Sequence, residues 1–468
     1  MSIDGMVNVG PWRTGLQWKE TIGKPDIPTQ YKLSGTVDQN TLHAFGLGFR
    51  EYIGGTAEVT AEASGQGLSV DGAKVSLDLA NSDIRFGEYW KKPINRPGHF
   101  SAIFNRDDDG NLVAENLEII ADGLTVEGDA AFAPDARLLN FDMKKVLIDG
   151  FADGAVKIAP NNNLSAFDVS MTGRFLDISP MVDRAIRANT SDVALPINLK
   201  ASIERLILDD MFVLRDADMT VVHNGIGTLE AQISGDRARG KFSAVLSQDQ
   251  DSKDRNLNIV IPDASRAVSA FLNIDSIRRG ELKLKAVLPE VGVEGPLYGT
   301  VIVNDFALIQ APIFAQILSL ASLRGLTDAM GGEGLGFAAF EAPFSYDSGT
   351  LSLREARASG PALGLTGSGE IVFSAKTVDL EGVLVPAYTA NSALSAIPVI
   401  GDIFVGKKGE GIFALNYMVK GPFSKTQVAV NPLSALTPGG LRRIFETDRE
   451  DIPQQSEGIS ENEPVTEE

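Results

Sequence analysis

The side chains able to do covalent or metal chemistry are few in this sequence, and their spacing is poor. There is no cysteine among the 468 residues, which removes disulfides, thiolate metal sites and thiol nucleophiles together. The three histidines, His43, His99 and His223, stand apart with no partner at metal-ligand spacing, and isolated histidines of this kind belong to surfaces and edges. Neither a G-x-S-x-G elbow nor an H-E-x-x-H pair occurs. Gly401-Asp402-Ile403-Phe404-Val405-Gly406-Lys407-Lys408 resembles a phosphate-binding loop. Lys408, however, stands where a Ser or Thr would hold magnesium, so a β-turn with two solvated lysines is the better reading.

Two further runs invite and then lose a ligand reading. Asn105, Asp107, Asp109 and Gly110 match the opening of a calcium loop. The closing bidentate glutamate is missing, because Asn116 occupies its place and Glu115 falls one short. Strand-like flanks at Phe100 to Phe104 and Leu112 to Leu117 make this an Asp-Gly hairpin turn. Gly332-Glu333-Gly334-Leu335-Gly336 lacks the strand before and helix after that a dinucleotide site needs, and Gly331 to Gly336 reads as a flexible connection. The 62 acidic residues supply many carboxylate pairs, so a carbohydrate-active enzyme stays as the weaker alternative. No catalytic residue, metal or cofactor is expected.

What remains is the framework. From residue 30 to residue 300 apolar and polar residues alternate in short runs broken by Gly, Asn and Asp, the signature of successive strands. In Ala73-Lys74-Val75-Ser76-Leu77-Asp78-Leu79 the apolar side chains fall on one face and the polar ones on the other. The pattern recurs at Asn116 to Ile119, Lys241 to Leu246, Asn256 to Ile261 and Glu281 to Lys285. One-sided strands imply antiparallel sheet with one wet face. Ala121 to Phe132 (ADGLTVEGDAAF) also aligns without gaps on Ala362 to Phe373 (ALGLTGSGEIVF), sharing six of twelve residues, which suggests a recurring hairpin element. Helices are few and short: Ile178 to Ala188, with Ser179 as N-cap and Pro180 at the first helical position, and Pro312 to Leu323.

Charge narrows the partners. Lys and Arg number 42 against 62 for Asp and Glu, a net charge of −20, so neither nucleic acid nor an electrostatic clamp on anionic lipid is expected. Residues 1–20 carry no secretory signal, and any targeting element is expected outside this chain. The uncharged stretches Phe306 to Leu323 and Gly382 to Gly401 contain Pro312, Pro386 and Pro398 with several polar residues, and read as neither of two spanning helices. The tail from Glu446 is acidic and aperiodic, hence disordered.

A long sheet with one apolar face must close, pair with a second sheet or curl around a ligand. Glycine, at 47 residues, falls inside strand patterns at Gly128, Gly367 and Gly369, which suits a strongly bent sheet. The expected fold is therefore mostly β: an elongated, curved antiparallel sheet forming an apolar groove, with a few short helices. Val75, Leu77, Leu79, Leu124 and Val126 are the expected groove lining. Each methylene moved from water into such a groove saves about 0.8 kcal/mol, so acyl chains could lie there without any catalytic group. A structural β-repeat scaffold or adhesin is the alternative.

Gly295 to Arg442 resembles the AsmA-like C-terminal region of Gram-negative envelope proteins, in particular the YhdP-type branch. The matching pieces, in order, are Gly295-Pro296-Leu297-Tyr298-Gly299, Ala311-Pro312 with Leu318 to Leu323, Ser359-Gly360-Pro361, and Gly364-Leu365-Thr366-Gly367-Ser368-Gly369. They continue through Ile397-Pro398-Val399-Ile400-Gly401, Gly409-Glu410-Gly411 and Gly421-Pro422 to Asn431-Pro432-Leu433-Ser434-Ala435-Leu436 with Pro438-Gly439. Trp90-Lys91-Lys92-Pro93 and Leu176-Asp177-Ile178-Ser179-Pro180 look like landmarks of the same family's upstream β region. The resemblance implies a periplasmic protein that conducts phospholipid along a β-groove between inner and outer membranes, tethered by an N-terminal anchor absent from this chain. The expected division is a repetitive β-groove over 1–290, the AsmA-like region over 291–445 and the acidic tail over 446–468. Ile313, Phe314, Ile317 and Leu320, with Ile397, Ile400 and Phe404, are the candidates for a membrane- or partner-proximal end.

Overall fold

Each alternating run becomes a strand, and most strands join the next. In the computed structural model, residues 1–22, 27–44, 53–66, 69–87, 89–182, 195–272, 274–321, 323–386 and 415–431 are described. They build one curved, mostly antiparallel sheet of 26 strands, from Ser2–Val9 at one edge to Gln427–Asn431 at the other. Strands twist relative to their neighbours, and open sheets beyond roughly ten strands curl or split, so a sheet this wide cannot stay flat. Almost every strand pairs with its successor in sequence. The side hairpin of Ser82–Phe86 and Trp90–Lys92 branches from Ile53–Gln66, and Ser69–Asp78 pairs directly with Gly98–Arg106. The sheet passes residue 290 without a break, because Ile277–Leu288 pairs with Leu297–Leu308.

One junction departs from the antiparallel expectation. Phe167–Asp177 and Ile197–Asp209 run parallel. Parallel neighbours need a crossover of a dozen or more residues, and the chain supplies one through 178–196, which opens with helical residues 179–182. At its start the Asp177 carboxylate accepts the Ser179 N–H at 2.8 Å, and Ile178 N–H donates to Ile207 O at 2.9 Å. The expected helix over Ile178 to Ala188 is thus described only to Val182.

The side hairpin gives the Trp90-Lys91-Lys92-Pro93 landmark a physical role. Trp90 Nε1–H donates to Asp122 O at 2.9 Å, and the ring is buried beside Ile148, Ala152 and Leu176. Lys92 is fully buried, donating to the carbonyls of Ser82 (2.9 Å), Pro93 (3.3 Å) and Ala80 (3.4 Å). Burial pushes its ammonium below the usual lysine range, with Asp78 and Asp83 opposing the shift.

Helices stay short, as read. Pro312–Leu320 packs beside Arg324–Gly331 and the last strand, while Ala264–Leu272, which alternation did not reveal, lies against Ile277–Leu288. The Gly331 to Gly336 connection is tighter than expected. Gly331 closes a helix and Leu335, which is buried, already begins the strand Leu335–Asp347. The Asn105 to Gly110 run is a hairpin loop between Gly98–Arg106 and Leu112–Ala121. Asp107 spends its oxygens there on the N–H groups of Asp109 and Asn111 and on the Asn111 amide. Donation from Asn111 holds that carboxyl below its usual range.

Both copies of the internal repeat place the shared glycine at a break in register. Gly128 sits where Leu124–Phe132 shifts against both neighbours, and Gly369 faces Leu353 beside the shift in Thr350–Ser359. A Cβ on Gly128 would lie 2.2 Å from Asp142 O, and one on Gly369 would lie 2.1 Å from Asp379 O. The shared residue is therefore a point where the next strand's backbone presses too close for any side chain.

Candidate functional site

The strand registers join residues into rows that run across the sheet. One row starts at Ile3 and passes Trp18, Tyr31, Ala63, Ala73, Phe104, Ala114 and Ala130. It goes on through Phe141, Ile158, Val169, Leu199, Val221, Ala231, Leu246, Leu257 and Ala286. From there it follows Gly299, Phe344, Leu353, Gly369, Leu380 and Val419 to Val428. The row crosses every strand of the sheet except Ser82–Phe86 and Trp90–Lys92, and no polar side chain other than the Tyr31 hydroxyl and the Trp18 indole N–H interrupts it.

One residue away, the opposite face is polar. The adjoining row reads Asp142, Lys157, Ser170, Lys200, Thr220, Gln232, Val245, Asn258, Lys285 and Thr300. Cross-strand charges pair along it, as in Lys157 to Asp142 at 2.9 Å. Side chains alternate faces, so register alone separates the two surfaces.

Burial along the apolar row is graded. The alanines at 114, 130 and 286 are buried, but Phe104, Phe141, Ile158, Leu246, Leu257 and Phe344 stay half-buried. Each packed cluster draws on strands adjacent in the sheet. Large side chains sealed in a closed core would be fully buried, and these are not.

The expected lining residues lie on this face, in more than one environment. Leu77 and Val126 share a second apolar row, Val59, Leu77, Phe100, Ile119, Val126 and Val146. Val75 lies between Ala61 and Ala102, and Leu124 between Ala121 and Ile148. All four are half-buried. Leu79 differs: it is buried among Trp12, Val37, Ala57 and Val59. In the Pro312–Leu320 helix, Ile317 is buried and Phe314 packs edge-on against Phe337, leaving Ile313 and Leu320 exposed. Ile397, Ile400 and Phe404, the loop from Gly401 to Lys408 and the acidic tail lie outside the described residues.

No protein-family model, curated protein or solved structure matches the chain. Function is therefore argued from the two faces themselves.

An open depression of about 1120 Å³ over Asp129, Asp142, Lys157, Ser170 and Lys200 also touches Ala130, Phe141, Ile158 and Val169 of the apolar row. Glycoside hydrolysis there would need a carboxyl held protonated by its surroundings. The Lys144 ammonium instead donates to Asp129 and holds it below its usual range. Elsewhere the carboxyls that move, Asp38, Glu62, Asp107 and Asp249, are all lowered, each chiefly by hydrogen bonds from neighbours. His99 is exposed, and His223 Nδ1 accepts the Gly225 N–H at 3.0 Å, with burial lowering its pKa.

At the C-terminal end of the sheet, Gly367 and Gly382 leave a slot across the strands in which the Tyr417 ring lies. Its hydroxyl donates to Thr366 O at 2.8 Å, and burial pushes the phenol up to about 12. A phenol whose folded pKa exceeds its unfolded value, about 10, contributes stability that is complete below that value and lost as pH rises toward the folded one. Melting curves should thus show the wild type losing stability between pH 10 and about 12 relative to Tyr417→Phe. Parallel curves for the two proteins across that window would refute the assignment.

A second depression, at the rim of the sheet, was not foreseen. It gathers Arg174, Arg205, Arg215, Arg237, Arg239 and Arg266. The whole-chain charge of −20 averaged it away, and only the three-dimensional meeting of turns separated by about thirty residues exposes it.

Proposed function

We propose that this chain is a non-enzymatic lipid-binding protein that holds, and passes along its length, the acyl chains of phospholipid on the apolar face of its sheet. The observation that carries the reading is the apolar row from Ile3 to Val428, broken only by the polar atoms of Trp18 and Tyr31, with most of its large side chains half-buried. Apolar surface left partly in contact with water costs about 25 cal/mol per Å², which an apolar ligand laid along the row would recover. Acyl chains are flexible, featureless and long, so a surface that is continuous and chemically uniform suits them better than a compact pocket. The polar opposite face keeps the sheet soluble while the first is occupied. The envelope setting, a periplasmic protein tethered to the inner membrane and reaching toward the outer one, is proposed from the AsmA-like motif order alone.

Photo-crosslinking side chains placed singly at Phe141, Leu246 and Phe344 should capture phospholipid in intact Gram-negative envelopes, with lipid identified by mass spectrometry. The same probe at Asp142, Val245 and Lys285, one position away on the opposite face, should capture little. Equal capture from both faces would remove the reading, and a row that captured only protein would favour the scaffold alternative.

A further inference from the structure

The rim depression, of about 840 Å³, lies where the turns at 209–212 and 237–240 meet the start of the Ala264–Leu272 helix. Its six arginines outnumber the three acidic residues that line it, Glu204, Asp236 and Asp263. Arg205 and Arg215 are direct cross-strand partners, a like-charge placement, while Asp236 stands opposite Arg215 on its other side and Arg205 lies 5.8 Å over the Phe175 ring. Among the described residues neither has a carboxylate in salt-bridge contact, and the same is true of Arg266. Arg237 is fixed: its guanidinium lies 3.9 Å over the Phe212 ring and donates to Val213 O at 3.0 Å. Phe212 itself is fully buried in the apolar core, so this arginine joins the apolar side of the sheet to its charged rim.

We infer that the arginine rim binds a phosphate-bearing anion, either the headgroup of a lipid whose tails lie on the apolar row or a free phosphate. The chemistry selects phosphate over a lone carboxylate. Guanidinium forks match the oxygens of a phosphate in pairs, and arginines arriving from separate strands and from a helix start surround an anion with several oxygens and up to two charges. Asp263 contacts Arg239 at 3.7 Å, Asp153 pairs with Arg174 and Phe212 and Val213 hold Arg237, which leaves Arg205, Arg215 and Arg266 without a carboxylate in contact. Only the headgroup form rests on the acyl-chain reading; a free phosphate would occupy the same arginines without it.

The test compares the full chain with the double variant Arg215→Gln/Arg266→Gln, and with Arg13→Gln on a distant strand as a charge control. Both rim positions are exposed, so the fold should survive, and relief of repulsion should let the double variant melt no lower than wild type without added anion. Inorganic phosphate, exchanged for chloride at constant ionic strength, should raise the melting temperature of wild type and of Arg13→Gln but leave the double variant unmoved. Vesicles of phosphatidylglycerol in phosphatidylcholine distinguish the source. Retention on them about tenfold stronger than on phosphatidylcholine alone, lost in the double variant, identifies a headgroup, one charge-assisted contact being worth at least that factor. A response to inorganic phosphate without vesicle preference identifies a free phosphate. The inference is overturned if wild type distinguishes neither phosphate from chloride nor the two vesicles, or if the double variant responds as wild type does. Cross-linking from the apolar row reads the acyl-chain proposal separately, so either can fail alone.

Discussion

Leu246→Asp is expected to reduce the phospholipid recovered with the protein by roughly ten- to a hundredfold, whereas Val245→Asp one residue away leaves recovery near wild type. Leu246 stands on the apolar row between Ala231 and Leu257, and Val245 on the polar row between Gln232 and Asn258. Both are valine- or leucine-sized, both are half-buried, and both belong to the strand Gly240–Gln248, so the pair differs chiefly in the face it addresses. A carboxylate on the row keeps water around it and strips roughly two or three acyl methylenes of apolar contact, at about 0.8 kcal/mol each. That sum sets the predicted range. Each substitution should cost about 1–2 kcal/mol of stability for a half-buried aliphatic side chain, which thermal melting of the two variants would match. Quantitative lipid mass spectrometry on protein purified from membranes reads the difference. Equal losses in both variants, or none in either, would mean that the faces do not differ toward lipid.

The value of that adjacent pair shows where sequence reasoning reached and where it stopped. Period-two alternation is local, so it revealed that Lys74, Ser76 and Asp78 oppose Val75 and Leu77, and it assigned the strands and the Asp-Gly hairpin correctly. Whether Leu77 lies level with Phe100 and Val126 depends on register, which bulges reset. The break between Ser101 and Ile103, for example, falls in the pairing of Gly98–Arg106 with Leu112–Ala121. A row across the whole sheet is therefore a property of its pairings, invisible to any one strand's pattern. The parallel junction escaped for a related reason: the pattern at Ser179 and Pro180 marks a helix start, and nothing local says that the chain returns to lie beside Phe167–Asp177 in the same direction. Lys92 shows a third limit. Lysine is read as surface by default, and the three carbonyls that make its burial tolerable come from Ala80, Ser82 and Pro93, which alternation cannot aim.

Glycine inside the strands points to curvature, and Gly128→Ala makes that effect measurable. A Cβ there would sit 2.2 Å from Asp142 O and 2.7 Å from Met143 Cα. Both are backbone atoms of the neighbouring strand, which cannot swing aside as a flexible side chain would. Relief requires Leu124–Phe132 and Leu138–Ile148 to part where the register already shifts between Glu127 and Gly128, so the cost should reach about 2–4 kcal/mol. Because contacts in a meandering sheet are mostly between sequence neighbours, the damage should stay local. Hydrogen exchange is expected to accelerate over residues 124–148 while the strands beyond residue 297 keep their protection. Gly5→Ala supplies the comparison: nothing lies within 4 Å of its added Cβ, and alanine in an extended strand restricts the unfolded chain more than glycine does. That variant should melt at or slightly above wild type. If Gly128→Ala were equally benign, close approach of backbones would not be what bends this sheet, and the half-buried state of Phe141 and Ile158 on the apolar row would need another cause.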